Sequence, residues 1–238
     1  MNENKTLKKL LPYFDPNELP EYPFIFIVAP RRSGKTTLVK HLILNYFWDK
    51  YDIITGICGN YHTAREYIKK GAIVEKYCHG TYKREVLKKW FAQSDKLLKQ
   101  GKELPKTLFI LDDILVLNSI KNEQRRTSND PYISRLAVAG RHYNAGTVLI
   151  VQSWSIALSF VRNSDLVLVC PSSLYAGSDF EQLMKNYMTG SNVKQNKEIL
   201  ELFQRHDFLA LRYYMATRDQ RKLLSWYRVS REDAKEES

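Results

Sequence analysis

Ala29-Pro30-Arg31-Arg32-Ser33-Gly34-Lys35-Thr36-Thr37 follows the apolar run Pro23-Phe24-Ile25-Phe26-Ile27-Val28 and opens into a helical pattern from Leu38 to Trp48. Strand, loop and helix in that order form the setting of a phosphate-binding loop. Successive backbone N–H groups of such a loop wrap the β- and γ-phosphates, and the helix that follows turns its positive dipole end toward them. The motif G-x-x-x-x-G-K-[ST] places Lys35 within reach of the β/γ oxygens and offers the Thr36 hydroxyl to Mg²⁺. Pro30, Arg31, Arg32, Ser33, Gly34, Lys35, Thr36 and Thr37 are the expected contacts to a nucleoside triphosphate. One position departs from the motif. Ala29 stands where glycine is asked for, and alanine disfavours positive φ, so the chain must leave the strand by a turn open to alanine.

A second apolar run, Leu108-Phe109-Ile110-Leu111, ends in Asp112-Asp113. An acidic side chain at such a strand end holds the Mg²⁺ beside the P-loop hydroxyl, a role that falls to Asp112. Asp113 is then placed near the γ-phosphate, to orient or deprotonate the attacking water. A third run, Thr147-Val148-Leu149-Ile150-Val151, closes on Gln152, whose amide can hydrogen-bond that water or the γ-phosphate.

These stretches, with Ala139-Gly140-Arg141-His142-Tyr143-Asn144-Ala145-Gly146 leading into the Gln152 strand and Ser153-Trp154 following it, resemble the genome-packaging ATPases of large eukaryotic DNA viruses, virophages, polintons, internal-membrane phages and archaeal viruses. Those proteins belong to the FtsK–HerA superfamily of DNA-pumping ring motors. The Arg-His-x-Asn segment before a strand ending in Gln is the most specific part of the likeness. Many relatives carry Asp-Glu where this chain has Asp112-Asp113. The resemblance implies an α/β P-loop NTPase of the ASCE/RecA-like kind, hydrolysing ATP with Mg²⁺ to drive double-stranded DNA into a capsid. It implies a pentameric or hexameric ring, capsid or inner-membrane vertex proteins as partners, and a place in the host cytoplasm (a viral factory) or the virion.

A ring motor also needs an arginine that reaches a neighbour's γ-phosphate, worth about 10³–10⁵ in rate. Arg141 is the choice because it lies within the family-like segment; Arg135 and Arg162 are the other candidates. The loop past the carboxylate strand, Asn118 to Asp130, carries Lys121, Arg125 and Arg126. A loop at that place is suited to line a pore, where Lys and Arg give a sequence-independent, salt-sensitive grip on the DNA backbone.

Composition agrees with this reading. The 238-residue chain has a net charge of +11 and a pI near 9.4, which favours an acidic polymer as partner. The apolar runs are strand-sized, so no membrane span is expected, and the opening Met1-Asn2-Glu3-Asn4-Lys5 lacks the apolar core of a secretory signal. The three cysteines, Cys58, Cys78 and Cys170, suit a reducing compartment. Cys58, His62, Cys78 and His79 offer zinc-ligating side chains, but their spacing fits no zinc pattern.

The expected order is an arm over 1–20, a P-loop ATPase domain over 21–230 with a helical insert at 62–105, and a disordered acidic tail over 231–238. Within the domain, strands fall near 23–29, 52–58, 106–112, 147–152 and 165–170. Helices fall near 35–48, 131–142 (started by Asp130-Pro131), 155–162, 178–189 and 194–205, and a final hairpin over 207–214 and 222–229. Strands alternating with helices imply a mostly parallel sheet covered on both faces.

Two other functions compete. A P-loop nucleoside or nucleotide kinase has a similar size, and the Asn118–Asp130 loop would then be its mobile lid. In translocases a Gln-tipped strand lies between the neighbours of the P-loop and carboxylate strands, so Gln152 favours the motor. A GTPase switch would carry the guanine-reading Asn-Lys-x-Asp pattern, which this sequence lacks.

Overall fold

The computed structural model describes residues 11–114, 130–152, 163–171, 200–203, 206–212 and 224–229. In chain order the elements are β1 (Phe24–Val28), α1 (Lys35–Leu42), β2 (Ile53–Cys58), α2 (Tyr61–Lys69), β3 (Cys78–His79), α3 (Arg84–Lys99) and β4 (Thr107–Asp112). They continue with α4 (Pro131–Ala139), β5 (Ala145–Val151), β6 (Leu166–Val169), β7 (Asp207–Leu211) and β8 (Leu224–Arg228). The strands form one eight-stranded sheet in the order β3-β2-β4-β5-β1-β6-β7-β8.

Strands without a polar face must be covered on both sides, and parallel strands meet that demand through their crossover helices. β1, β4, β5 and β6 are buried along their whole lengths and pair in parallel. Alternate residues of β1 serve the two cores. Phe24, Phe26 and Val28 pack with Leu87 and Phe91 of α3 and with Ile133 and Leu136 of α4. Ile25 and Ile27 pack with Leu38, Val39 and Leu42 of α1 and with Ala64 and Tyr67 of α2. Asp130 caps α4 by accepting from the Tyr132 amide at 2.8 Å, with Pro131 at the first helical position.

The strand polarity reverses at β7 and again at β8: β7 is antiparallel to β6, and β8 is antiparallel to β7. The expected final strands therefore pair with each other, while the turn proposed around 217–220 lies outside the described residues. So do the helices expected at 155–162 and 178–189 and the tail; of 194–205, only 200–203 are described.

Three features differ in detail from the sequence expectation. The helix after the P-loop widens to π geometry over Ile43–Phe47, where the Trp48 amide donates to the Ile43 carbonyl at 2.8 Å. The 62–105 segment holds an edge strand, β3, besides its two helices; at two residues it is too short to leave a periodic signal. Residues 12–14 are bonded to the sheet: the Phe14 amide donates to the Trp226 carbonyl at 2.9 Å, and the Trp226 amide to the Pro12 carbonyl at 3.0 Å. Phe14 is fully buried, 6.0 Å from the Tyr227 ring and beneath the Arg212 guanidinium at 5.0 Å. Among the described residues, no helix is long and apolar enough to cross a membrane.

Phe14→Ala removes a fully buried ring and should cost about 3–5 kcal/mol of stability. The check is urea denaturation; a loss under 1 kcal/mol would mean that the segment does not contribute to the core.

Candidate functional site

The C-terminal ends of β1, β4 and β5 meet at one edge of the sheet, and the residues singled out in the sequence gather there. Register fixes this: Val28 pairs with Val151, and Asp112 with Ile150. β5, tipped by half-buried Gln152, lies directly between β1 and β4.

The loop from Ala29 to Gly34 shows why alanine is accepted at its start. Ala29 stays in the strand ladder, its amide donating to the Val151 carbonyl at 2.9 Å, and it is fully buried. The left-handed turns fall later, at Arg32 (φ 63°) and Gly34 (φ 88°). Arg31 and Arg32 are exposed at the loop tip, Pro30 and Thr36 are half-buried, and Ser33, Lys35 and Thr37 are buried.

Lys35 is clasped by the two carboxylates at the end of β4. Its Nζ lies 2.5 Å from Asp113 Oδ2 and 3.9 Å from Asp112 Oδ1. Asp112 is wholly buried, and the Tyr67 hydroxyl of α2 donates to its Oδ2 at 2.7 Å. Burial pushes the Asp112 carboxyl up to about 6; Lys35 works against this, Asp113 adds to it, and the Tyr67 bond opposes it. Asp113 turns the chain out of the strand in a left-handed conformation, φ 54°. The turn presses on Gly59 at the end of β2, where a Cβ would meet the Asp113 carbonyl oxygen at 2.3 Å.

Ser33 Oγ, Asp112 Oδ1 and Asp113 Oδ1 are buried without a protein hydrogen-bond partner. Unpaired buried oxygens are costly, and a hydroxyl with two carboxylate oxygens suits a hard cation and its bound waters. The residues therefore fit Mg²⁺ carried with a polyphosphate. Among the described residues no group of three or more His, Cys, Asp or Glu is placed to hold a metal by itself.

Tyr67 and Gly59 were not singled out in the sequence. Tyr67 meets Asp112 across 45 residues, a contact with no local signature. Gly59 at least stands directly after an apolar strand, where a close backbone approach is a common use of glycine.

The arginines separate. Arg135 is engaged between α3 and α4: its Nη2 lies 3.0 Å from Asp95 Oδ1 and its guanidinium 4.4 Å from the Phe91 ring, with Tyr143 also bound. Arg141 is exposed in the turn Gly140–Tyr143 that leads into β5, at the edge of the sheet opposite the P-loop. There it lines a cavity of about 320 Å³ with Thr147, Asn163 and Asp165. Arg162, Lys121, Arg125 and Arg126 lie outside the described residues.

Element order and the placement of the loop, the paired carboxylates and the Gln-tipped strand define an α/β P-loop NTPase fold with a mostly parallel sheet. Solved structures share it. The genome packaging NTPase B204 from Sulfolobus turreted icosahedral virus 2, in complex with AMP, aligns over 84% of this chain and 96% of its own at 19% identity and a TM-score of 0.57. The same protein with AMPPCP aligns over 84% and 96% at 21% identity and a TM-score of 0.53. B204, the DNA-packaging ATPase from Sulfolobus turreted icosahedral virus, aligns over 83% and 95% at 19% identity and a TM-score of 0.53. No protein-family model matches the sequence, and no curated protein matches it.

Because Asp112 is raised in the folded protein, the fold binds more protons than the unfolded chain between about pH 4 and about pH 6. Stability is thus expected to fall as pH rises through that window, by on the order of 2 kcal/mol. Asp112→Asn should flatten the slope, and Tyr67→Phe, which removes a bond to the ionised form, should move the window upward. Thermal melts from pH 4 to 8 in a metal chelator decide; an unchanged slope in Asp112→Asn would assign it to other groups.

Proposed function

We propose that this chain is an ATPase that drives double-stranded DNA into a viral capsid, working as a ring of copies. The observation that carries the proposal is the joint of Lys35, Asp112 and Asp113 beside the Gln152 strand, on a fold shared with packaging NTPases. A Gln-tipped strand between the P-loop and carboxylate strands supports the motor over a nucleoside kinase.

In this reading the backbone of Ser33 to Thr37 cradles the ATP phosphates, and Lys35 carries its ammonium to their oxygens. Thr36 and Asp112 hold Mg²⁺, which when bound neutralises charge on the transferring phosphoryl group. Tyr67 keeps one Asp112 oxygen occupied, so that Oδ1 alone is turned to the site. Asp113 accepts the proton of the attacking water. Gln152 hydrogen-bonds that water or the γ-phosphate and reports its state along β5. Arg141 lies far from the P-loop of its own chain, so its role is toward a neighbouring copy. Lys121, Arg125 and Arg126 grip DNA phosphates in the pore. Capsid or vertex proteins and a place at the viral factory or in the virion complete the proposal.

ATP turnover by the wild-type chain should rise with long double-stranded DNA, weaken steeply with salt, and vanish in Lys35→Ala. Turnover indifferent to DNA but raised by a nucleoside or nucleotide acceptor would replace the motor with a kinase. Arg141→Ala should lose about 10³-fold in turnover. Mixing it with Lys35→Ala should restore part of that activity, since each variant supplies what the other lacks; no recovery at any ratio would remove Arg141 from the trans role.

A further inference from the structure

His206 occupies the space that a side chain on Gly34 would fill. A Cβ built on Gly34 meets His206 Nδ1 at 2.2 Å and Cε1 at 2.9 Å, so the imidazole rests on the backbone of the P-loop glycine that precedes Lys35. This is the motif glycine that the polyphosphate lies against. Ser33 Oγ, buried without a protein partner, belongs to the same turn.

The histidine is firmly placed. Its backbone is left-handed, φ 72°, a conformation unfavourable to a residue with a β-carbon that persists only where neighbours impose it. Those neighbours are in view. Asp207, next in the chain, is fully buried and takes a two-point bond from Arg228 of β8: Nη2 to Oδ2 at 2.6 Å, and Nε to Oδ1. Because β7 runs against β6, it is the first residue of β7 that arrives at the P-loop edge, and His206 with it.

We propose that His206 is a phosphate-contacting residue of the nucleotide site, donating a ring N–H to an oxygen of the polyphosphate above Gly34. The inference rests on the nucleotide-binding reading of the P-loop. Imidazole supplies at least one N–H donor in either protonation state. A hydrogen bond to a charged oxygen is worth on the order of tenfold in affinity. The contact depends on β-phosphate or γ-phosphate being present, which separates it from simple packing.

The test is equilibrium binding of fluorescent ATP, ADP and AMP to the full chain with Mg²⁺, for wild type, His206→Ala and His206→Asn, with Lys35→Ala as comparator. Asn accepts the left-handed backbone and sets an amide near the place of Nδ1. His206→Ala should weaken ATP and ADP roughly tenfold and AMP less than about twofold, while His206→Asn keeps most of the wild-type affinity. If the alanine variant unfolds, His206→Gly removes the ring and relieves the positive φ, and the same pattern is expected. Unchanged or tighter ATP binding without the ring overturns the proposal, as does an equal loss for all three nucleotides. A folded wild-type chain that binds none of them overturns the nucleotide reading, and this inference with it.

Discussion

An ammonium group withdrawn from water must be neutralised where it sits, and Lys35, with a side chain only 10% exposed, is neutralised by Asp113 and Asp112 together. Much of the local structure follows from that constraint. β4 must end beside the P-loop, Asp113 must turn sharply out of the strand, and Gly59 must be bare to let it turn. The second carboxylate is the harder one to keep ionised. Tyr67 reaches it from α2, in the same helical layer as the P-loop helix, and fixes which of its oxygens is left over. A lysine already held by two carboxylates is a positioned lysine: its three donors point to one corner of the site rather than sampling solvent.

The sheet supplies the second constraint. Parallel strands bring all their C-terminal ends to one edge, so loop, carboxylates and amide need no special folding to meet. The same polarity sends Arg141 to the other edge, where the Asp165 carboxyl, raised by burial, is partly offset by its charge. Within its own chain that arginine faces Asp165 rather than the P-loop.

How much of this was legible beforehand depended on whether the signal was local. The P-loop, the Asp112 strand and the Gln152 strand each lie within a short apolar run that ends on a polar group, and hydrophobic pattern with chain order was enough to bring them together. The departure at Ala29 was also readable, since it demanded a turn open to alanine, and the chain holds Ala29 in the ladder and leaves the left-handed turns to Arg32 and Gly34. What stayed hidden was long-range. Tyr67 sits on an amphipathic helix like any buried tyrosine, and nothing nearby in sequence announces Asp112. His206 reaches Gly34 only because one strand reverses direction, a fact of pairing and not of composition. Residues 12–14, punctuated by proline, read as a loose arm until their backbone groups find Trp226.

That last pairing changes how the molecule can associate. The outer side of β8 is a row of backbone donors and acceptors, and Pro12 to Phe14 already satisfy part of it. At the opposite border β3 offers only two residues. Both borders are thus blunted against templated strand addition, the usual route by which open sheets stick together. Among the described residues, neither border offers a long open strand on which copies of this chain could join sheet to sheet.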